Sequence, residues 1–120
     1  MLKLLLLTTL LIPMKLTAQP ADMSPLRVEA IISFYTDIDS CHHKGCLNAS
    51  GRKPQFGDTA CPRAIPLNTI VHIQGEDYVC ADRTAKWVDG RYDIFLGYGE
   101  EKHKQAKRMG IFKTDVEVYL

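Results

Sequence analysis

An apolar run close to the N-terminus determines how much of this chain is left to fold. Residues 1–18 begin with Lys3 close to the start, continue with an apolar run of about 11 residues and end on the small Ala18, which is the layout of an export signal. The run is too short to span a bilayer, because a spanning helix takes about 20 apolar residues. We therefore expect a signal peptide at residues 1–18 and one domain over residues 19–120, with its core starting near residue 26. This length excludes a large two-domain enzyme.

The charge balance gives no sign of a nucleic-acid partner. Without Lys3 and Lys15, which lie in the expected signal, the chain has thirteen basic and fourteen acidic residues. Binding to a phosphate backbone usually relies on an excess of basic residues. We therefore predict no nucleic-acid partner, and we further expect a monomer without a transmembrane segment in the mature chain.

All four cysteines lie in the part of the chain that is expected to be exported, where thiols oxidise. An even number in a small exported domain indicates two disulfides, for which three pairings exist. We favour Cys41–Cys46, because it closes a short loop rich in turn formers, and Cys61–Cys80, because it joins neighbouring predicted strands. The alternative is a metal site in residues 41–46, which also hold two histidines. Zinc sites usually draw a second ligand pair from elsewhere at characteristic spacing; none is evident, and we predict no metal or other cofactor.

Alternating apolar and polar residues predict a series of short strands. The first covers residues 28–35 and places Val28, Ala30, Ile32 and Phe34 on one side, as in a half-buried strand. The other predicted strands cover residues 59–61, 69–74, 78–82, 92–96 and 115–120. The second and third of these five form a hairpin around a turn at Gly75.

One short helix is predicted in the C-terminal half, over residues 100–109. Two acidic residues open it, basic residues close it, and Gly110 follows as a stop. Strands separated by long irregular loops, with a single short helix, are typical of a small closed barrel rather than a sandwich. Closure also protects the edges of so small a sheet, so the expected fold class is an all-β barrel.

Several short strings occur in the order seen in one known family. They are the pair Tyr35-Thr36 and residues 48–54, 60–67, 79–83, 90–99 and 106–110. This order resembles the 3D domain, named for three aspartates, which is found in membrane-bound lytic transglycosylase A and in small exported cell-wall proteins. The resemblance runs from near Val28 to the C-terminus. It implies a six-stranded double-psi β-barrel, located in the periplasm, at the outer membrane or outside the cell, that cleaves or binds peptidoglycan glycan strands.

Two of the three signature aspartates have matches in this chain. Asp82, in Ala-Asp-Arg, matches one of them, and Asp93, in Tyr-Asp-Ile-Phe, matches the one that follows in an aromatic strand. The resemblance implies that Asp93 is the catalytic acid and base and that Asp82 holds substrate or tunes the proton of Asp93. Cys61 stands where the first aspartate is expected, and residues 83–89 replace a glycine-rich stretch.

A single carboxyl group suffices for the reaction that this family implies. Ordinary glycosidases need two carboxyl groups, whereas a lytic transglycosylase uses the C6 hydroxyl of the sugar in place of water. The one acid must then hold a proton near neutral pH. We expect burial and the like charge of Asp82 to raise the pKa of Asp93, and Arg83 or Arg91, if close, to lower it.

Five further residues are candidates for binding the glycan. Asn48, Ser50 and Gly51 resemble the family's loop beside the cleft and are predicted to bind N-acetyl or hydroxyl groups, although a turn of this composition needs no ligand to explain it. Tyr35 and Trp87 are predicted to stack on sugar rings. For Trp87 the alternative is an anchor for its loop.

The favoured interpretation is an exported lytic transglycosylase or glycoside hydrolase that cleaves the β-1,4 bonds of peptidoglycan with an aspartate as acid and base. The first alternative is a non-catalytic polysaccharide-binding module, similar to expansins and barwin. The second is a structural or inhibitory module held by disulfides. For Asp93 itself, the alternative role is an ion pair with Arg91 on the same strand.

Overall fold

Six β-strands, one ten-residue helix and two shorter helical turns make up the described part of the chain. The structure is a computed structural model that describes residues 24–41 and 46–120. The predicted signal peptide lies outside the described residues, as do the two histidines of the cysteine loop. Within the described ranges, no helix combines the length and the apolar character needed to cross a membrane.

The strands lie close to where the alternation of residues predicts them. Their bounds are β1 (Leu26–Thr36), β2 (Asp58–Cys61), β3 (Ile70–Ile73), β4 (Glu76–Arg83), β5 (Arg91–Gly97) and β6 (Phe112–Tyr119). A single helical turn, α1 (Asp37–Ser40), follows β1 directly, and a 3-10 turn (Lys86–Val88) lies between β4 and β5. The longer helix, α2 (Glu100–Met109), has the predicted bounds.

The strands close into a barrel in the order β1-β5-β2-β4-β3-β6. The pairs β1–β5 and β2–β4 are parallel, and the remaining four pairs are antiparallel. Parallel neighbours need crossover connections instead of tight turns, which explains the long loops between the short strands. The expected small six-stranded barrel is confirmed.

The predicted hairpin between β3 and β4 turns at two residues with positive φ, Gln74 (48°) and Gly75 (85°). Positive φ at both central positions is the signature of a type I′ turn, whose twist matches that of the flanking strands. The turn therefore lies one residue earlier than the sequence suggests.

Along the strands, every second residue faces the barrel interior, and these residues form the core. In β1, Ala30 and Ile32 are buried there, and Val28 and Phe34 pack against them, as the alternation predicts. The core also contains aliphatic residues of β3 and β6 and, from β5, Tyr92 and Ile94. Residues between these positions, such as Ser33 and Tyr35 in β1, therefore point to the outer face of the sheet.

Both predicted disulfides are present. Cys61–Cys80 joins β2 to its parallel neighbour β4, with a Cα–Cα distance of 5.6 Å, and both residues are fully buried in the core. Cys41–Cys46 closes the loop after α1. Because both thiols of that loop are used in a disulfide, the alternative of a zinc site on Cys41 and Cys46 is not supported.

Helix α2 covers part of the outer face. Its buried residue Ala106 packs toward the barrel, and Gly110, with a φ of 69°, ends the helix by donating its N–H to the Ala106 carbonyl at 3.2 Å. A glycine with positive φ at this position is a common helix stop. The last turn, which carries Lys107 and Arg108, thereby lies against the outer face of β1 and β5.

Candidate active site

Four residues on four adjacent strands form a row across the outer face of the sheet. Ser33 of β1 is the register partner of Asp93 in β5, and Asp93 is the partner of Ala60 in β2. Ala60 is in turn the partner of Asp82 in β4. Partners in register point to the same face, so the two aspartates flank a small alanine, with their Cα atoms two strand spacings, about 10 Å, apart.

An irregularity in β4 produces this alignment. Thr59 pairs with Cys80, but the next residue, Ala60, pairs with Asp82, so Ala81 is an extra residue in the ladder. Such a bulge moves the following side chains to the other face and is common beside active sites. Cys80 therefore points into the core while Asp82, only two residues later, belongs to the row on the outer face.

Asp93 is a largely buried carboxyl group on the outer face of β5. Its Oδ1 accepts a hydrogen bond from the Ser33 hydroxyl at 3.0 Å, and among the described residues it forms no ion pair. Burial raises the pKa of Asp93 to about 6, against the lowering effects of the Ser33 hydrogen bond and of Arg91, and with smaller raising effects from Asp39 and Asp82. The alternative of an ion pair with Arg91 is not seen.

Two adjoining cavities open around Asp93. The larger, of about 410 Å³, lies between β1, β5 and the end of α2, and the smaller, of about 180 Å³, lies between Asp93 and Asp82. Tyr35, Asp39 and Asp93 line both. The two predicted aspartates therefore share one concave surface, with Asp93 at its centre and Asp82 at one end.

Tyr35 lies beneath the two aspartates. Its ring packs on Phe95 with centroids 5.3 Å apart and is 5% exposed, so it cannot offer a face to a sugar and the stacking role suggested by the sequence does not fit. Its hydroxyl is buried and has no hydrogen-bond partner among the described residues. Burial, followed by the charges of Asp82 and Asp93, raises the pKa of Tyr35 well above its ordinary value. The phenol is therefore a neutral donor held below the cavity.

Asp82 holds a loop in place as well as lining the smaller cavity. Its Oδ1 accepts the backbone N–H of Ala49 at 3.0 Å and that of Arg83 at 2.9 Å. The first bond attaches the turn at residues 48–51 to β4. The guanidinium of Arg83 donates away from Asp82, to the carbonyls of Pro62 and Ile65. Arg83 is thus used to fix the loop after β2.

The turn at residues 48–51 is held by its own hydrogen bonds and by two bonds to β4, from the Ala49 N–H to Asp82 and from the Ser50 N–H to the Ala81 carbonyl at 3.0 Å. The side-chain oxygen of Asn48 accepts from the Ser50 N–H at 3.1 Å and from the Ser50 hydroxyl at 2.6 Å. Gly51, with a φ of 87°, donates its N–H to the Asn48 carbonyl at 2.9 Å. These three predicted binding residues line neither cavity, so the structure supports the turn-forming role that the sequence left as the alternative.

Trp87 projects from the 3-10 turn that follows β4. Its side chain is 87% exposed, whereas its neighbour Val88 lines the smaller cavity. The indole therefore does not anchor the loop, although the next residue along the chain lies in the wall of the cavity. An exposed aromatic face at the edge of a groove is the usual arrangement for stacking on sugars or bases.

Two acidic residues near the site were not identified from the sequence. Asp39 lines both cavities and caps α1, accepting the Thr36 N–H at 2.8 Å; the Thr-x-x-Asp spacing is a capping-box signal that could have located it. Asp58, 1% exposed, forms a two-bonded ion pair with Arg52 at 2.7 and 2.8 Å. No local sequence pattern predicts the Arg52–Asp58 ion pair.

The arrangement suits proton transfer to and from a bound molecule. A carboxyl group with a pKa of about 6 can both donate and accept a proton near neutral pH, and it faces a groove bordered by a second carboxylate. Comparison with models of known families gives no match to this chain, and comparison with curated proteins gives none either.

Proposed function

We propose that this chain is an exported peptidoglycan-active protein of the 3D type that cleaves the β-1,4 glycosidic bond of glycan strands as a lytic transglycosylase. The observation that carries the proposal is Asp93, a protonatable and unpaired carboxyl group that faces a groove on the barrel surface. The two disulfides are typical of proteins that leave the reducing cytoplasm and support the proposed export to the periplasm, the outer membrane or the exterior.

Asp93 acts twice in the proposed reaction. Its carboxyl proton passes to the bridging oxygen as the bond from that oxygen to C1 of the muramic acid breaks, while the N-acetyl group stabilises the positive charge on C1. The C6 hydroxyl of the same sugar then attacks C1, and the Asp93 carboxylate removes its proton. The products are a 1,6-anhydro sugar and a free hydroxyl on the leaving sugar, with Asp93 protonated again.

Three neighbours support this cycle. The Ser33 hydroxyl donates to Oδ1 of Asp93 at 3.0 Å and fixes the rotamer of the carboxyl group. The phenol of Tyr35 lies near both aspartates and supplies a neutral donor there. Asp82 adds negative charge near the cationic transition state and holds the turn at residues 48–51.

Digestion of purified sacculi tests the proposal. The wild-type protein should release soluble muropeptides, and Asp93→Asn, which removes the acid at nearly constant volume, should reduce the rate at least about 100-fold. Asp115→Asn, on an exposed position of β6 outside both cavities, is the matched control and should retain the wild-type rate. Equal digestion by the wild type and Asp93→Asn would refute the proposed role of Asp93.

A second candidate function is non-catalytic binding of wall polysaccharide. It is favoured by the exposed indole of Trp87, whose chain neighbour Val88 lines the smaller cavity; an exposed aromatic ring is the kind of platform that sugar-binding proteins use. For a binder, Trp87→Ala should abolish retention on sacculi, while no muropeptide is released by any variant. For the enzyme, release is detected and depends on Asp93.

A further inference from the structure

We propose that Arg91, with Lys107 beside it, forms a subsite for a carboxylate carried by the bound glycan. Both residues line the larger cavity, next to Asp93. The inference rests on the proposed function, since it assigns the part of the glycan that occupies this cavity. It adds a specificity determinant that the matched sequence strings do not imply.

The first observation is that the guanidinium of Arg91 has no partner in the part of the chain that the structure describes. Among the described residues it forms no ion pair and donates no side-chain hydrogen bond, and its Nε is buried without an acceptor. A guanidinium carries five N–H donors, and a buried donor without an acceptor is costly. A ligand acceptor in the cavity would supply what the protein does not.

The acidic residues in the same cavity are already engaged. Oδ1 of Asp93 accepts from Ser33, and Oδ2 of Asp39 accepts the Thr36 N–H at 2.8 Å and lies 3.5 Å from Nδ1 of His103. Neither carboxylate forms an ion pair with Arg91. Among the described residues no acceptor therefore pairs with Arg91, and a ligand bound in the cavity would supply one.

The second observation is the position of Lys107. It lies in the last turn of α2, on the wall of the cavity formed by the helix, and forms no ion pair among the residues described. Two unpaired cations thus line one cavity. A planar guanidinium can bind a carboxylate with two parallel hydrogen bonds, and an ammonium adds a point charge.

The spacing fits a substituent on the sugar that is being cleaved. Arg91 and Asp93 are two residues apart on one face of β5, about 7 Å along an extended strand. A carboxylate bound at Arg91 would then be close enough to a glycosidic oxygen at Asp93 to belong to a substituent of the same sugar. On a peptidoglycan strand the source is the lactyl carboxylate of muramic acid, when no peptide is attached, or a carboxylate of the stem peptide.

Equilibrium binding measurements test whether the subsite exists and identify the source of the carboxylate. The probes are three glycans of equal length: a chitooligosaccharide, which carries no carboxylate, a peptide-free muramic acid glycan, and the same glycan with its stem peptides. Each is titrated into the Asp93→Asn protein, which should bind without cleaving. We expect a carboxylated glycan to bind at least tenfold more tightly than the chitooligosaccharide, and the better of the two identifies the source.

Substitutions then show which side chains cause the preference for a carboxylated glycan. Arg91→Gln should remove the preference and leave chitooligosaccharide binding unchanged, and Arg91→Lys, which keeps the charge without the two-bonded geometry, should retain part of it. Lys107→Gln should weaken the preference, whereas Lys104→Gln, exposed on the same helix and outside both cavities, should not. Thermal unfolding of each variant verifies that it is folded.

The outcomes distinguish the two proposals. Equal affinity for neutral and carboxylated glycans, or an undiminished preference in Arg91→Gln, would overturn the carboxylate subsite and leave the proposed function standing. Absence of binding to all three glycans would overturn both.

Discussion

At the scale of single residues, the chemistry depends on where Asp93 holds its proton. Burial is the main reason that its pKa rises from 3.8 to about 6, and the Ser33 hydrogen bond and Arg91 keep it from rising further. A carboxyl group on the exposed surface would be ionised at neutral pH and unable to act as an acid. The outer face of the sheet therefore provides a reactive carboxyl group because α1, α2 and the loops partly cover it.

Two pH dependences follow from this pKa. Cleavage requires the protonated acid, so its rate should fall as the pH rises through about 6. The stability contributed by the buried neutral carboxyl is fully present below about pH 3.8 and is lost as the pH rises through about 6, because the folded state binds the proton more tightly than the unfolded state.

Urea unfolding at a series of pH values measures the second effect. Asp93→Asn cannot ionise, so above pH 6 it should be more stable than the wild type, by up to about 3 kcal/mol for a shift of about two units, and the advantage should disappear near pH 4. A constant difference across this range would contradict the assigned pKa.

A second prediction for a single residue concerns the hydroxyl group of Tyr35. Its buried hydroxyl has no partner among the described residues, so Tyr35→Phe should leave the free energy of unfolding unchanged or raise it by up to about 1 kcal/mol. The rate of glycan cleavage should nevertheless fall, because a donor near the aspartates is lost. Tyr119→Phe, on an exposed tyrosine at the end of β6, is the control, and a stable Tyr35→Phe protein with the full cleavage rate would exclude a role for the hydroxyl.

At the scale of elements, the short strand β2 organises the site. It lies between β4 and β5, is bonded to β4 by Cys61–Cys80, and presents Ala60 between the two aspartates. Its first residue, Asp58, is anchored by Arg52 and by the Gln55 N–H at 3.0 Å. These contacts attach the loop before β2 to the strand. They fix the pairing register of β2, on which the row of site residues depends.

The Arg52–Asp58 pair should therefore contribute much more than an exposed pair. Arg52→Met leaves the carboxylate of Asp58, whose side chain is 2% exposed, without its counter-ion and should lower the free energy of unfolding by about 3 kcal/mol. The matched control is Arg27→Met, which breaks the exposed pair with Glu117 at 2.6 Å and should cost less than about 1 kcal/mol. Equal losses in urea unfolding would contradict the structural role of Asp58.

At the scale of the whole molecule, the sequence predicts the elements better than their arrangement. Strands and helix were found because alternation and helix-end signals are local, and Cys61–Cys80 because it joins neighbouring strands. The parallel pairs and the bulge at Ala81 depend on pairings across the barrel, which no local pattern encodes. For the same reason the burial of Tyr35, and the cavity that α2 forms over Arg91, could not be predicted. Asp82 and Asp93 were selected as candidates from their sequence strings, and the structure places both beside adjoining cavities.

A groove in the described part of the barrel has a protonatable carboxyl group, that of Asp93, at its centre. If Asp93 acts alone, water is not the nucleophile, whereas paired action with Asp82 would be hydrolysis by two carboxyl groups. The product distinguishes these two reactions, because only intramolecular attack leaves a 1,6-anhydro end.

Mass spectrometry of sacculus digests made in ¹⁸O-labelled water tests the central claim most directly. We expect 1,6-anhydro muropeptides without label from the wild type and from Asp115→Asn, and none from Asp93→Asn. Reducing ends that carry one labelled oxygen, or anhydro products released equally by Asp93→Asn, would contradict it.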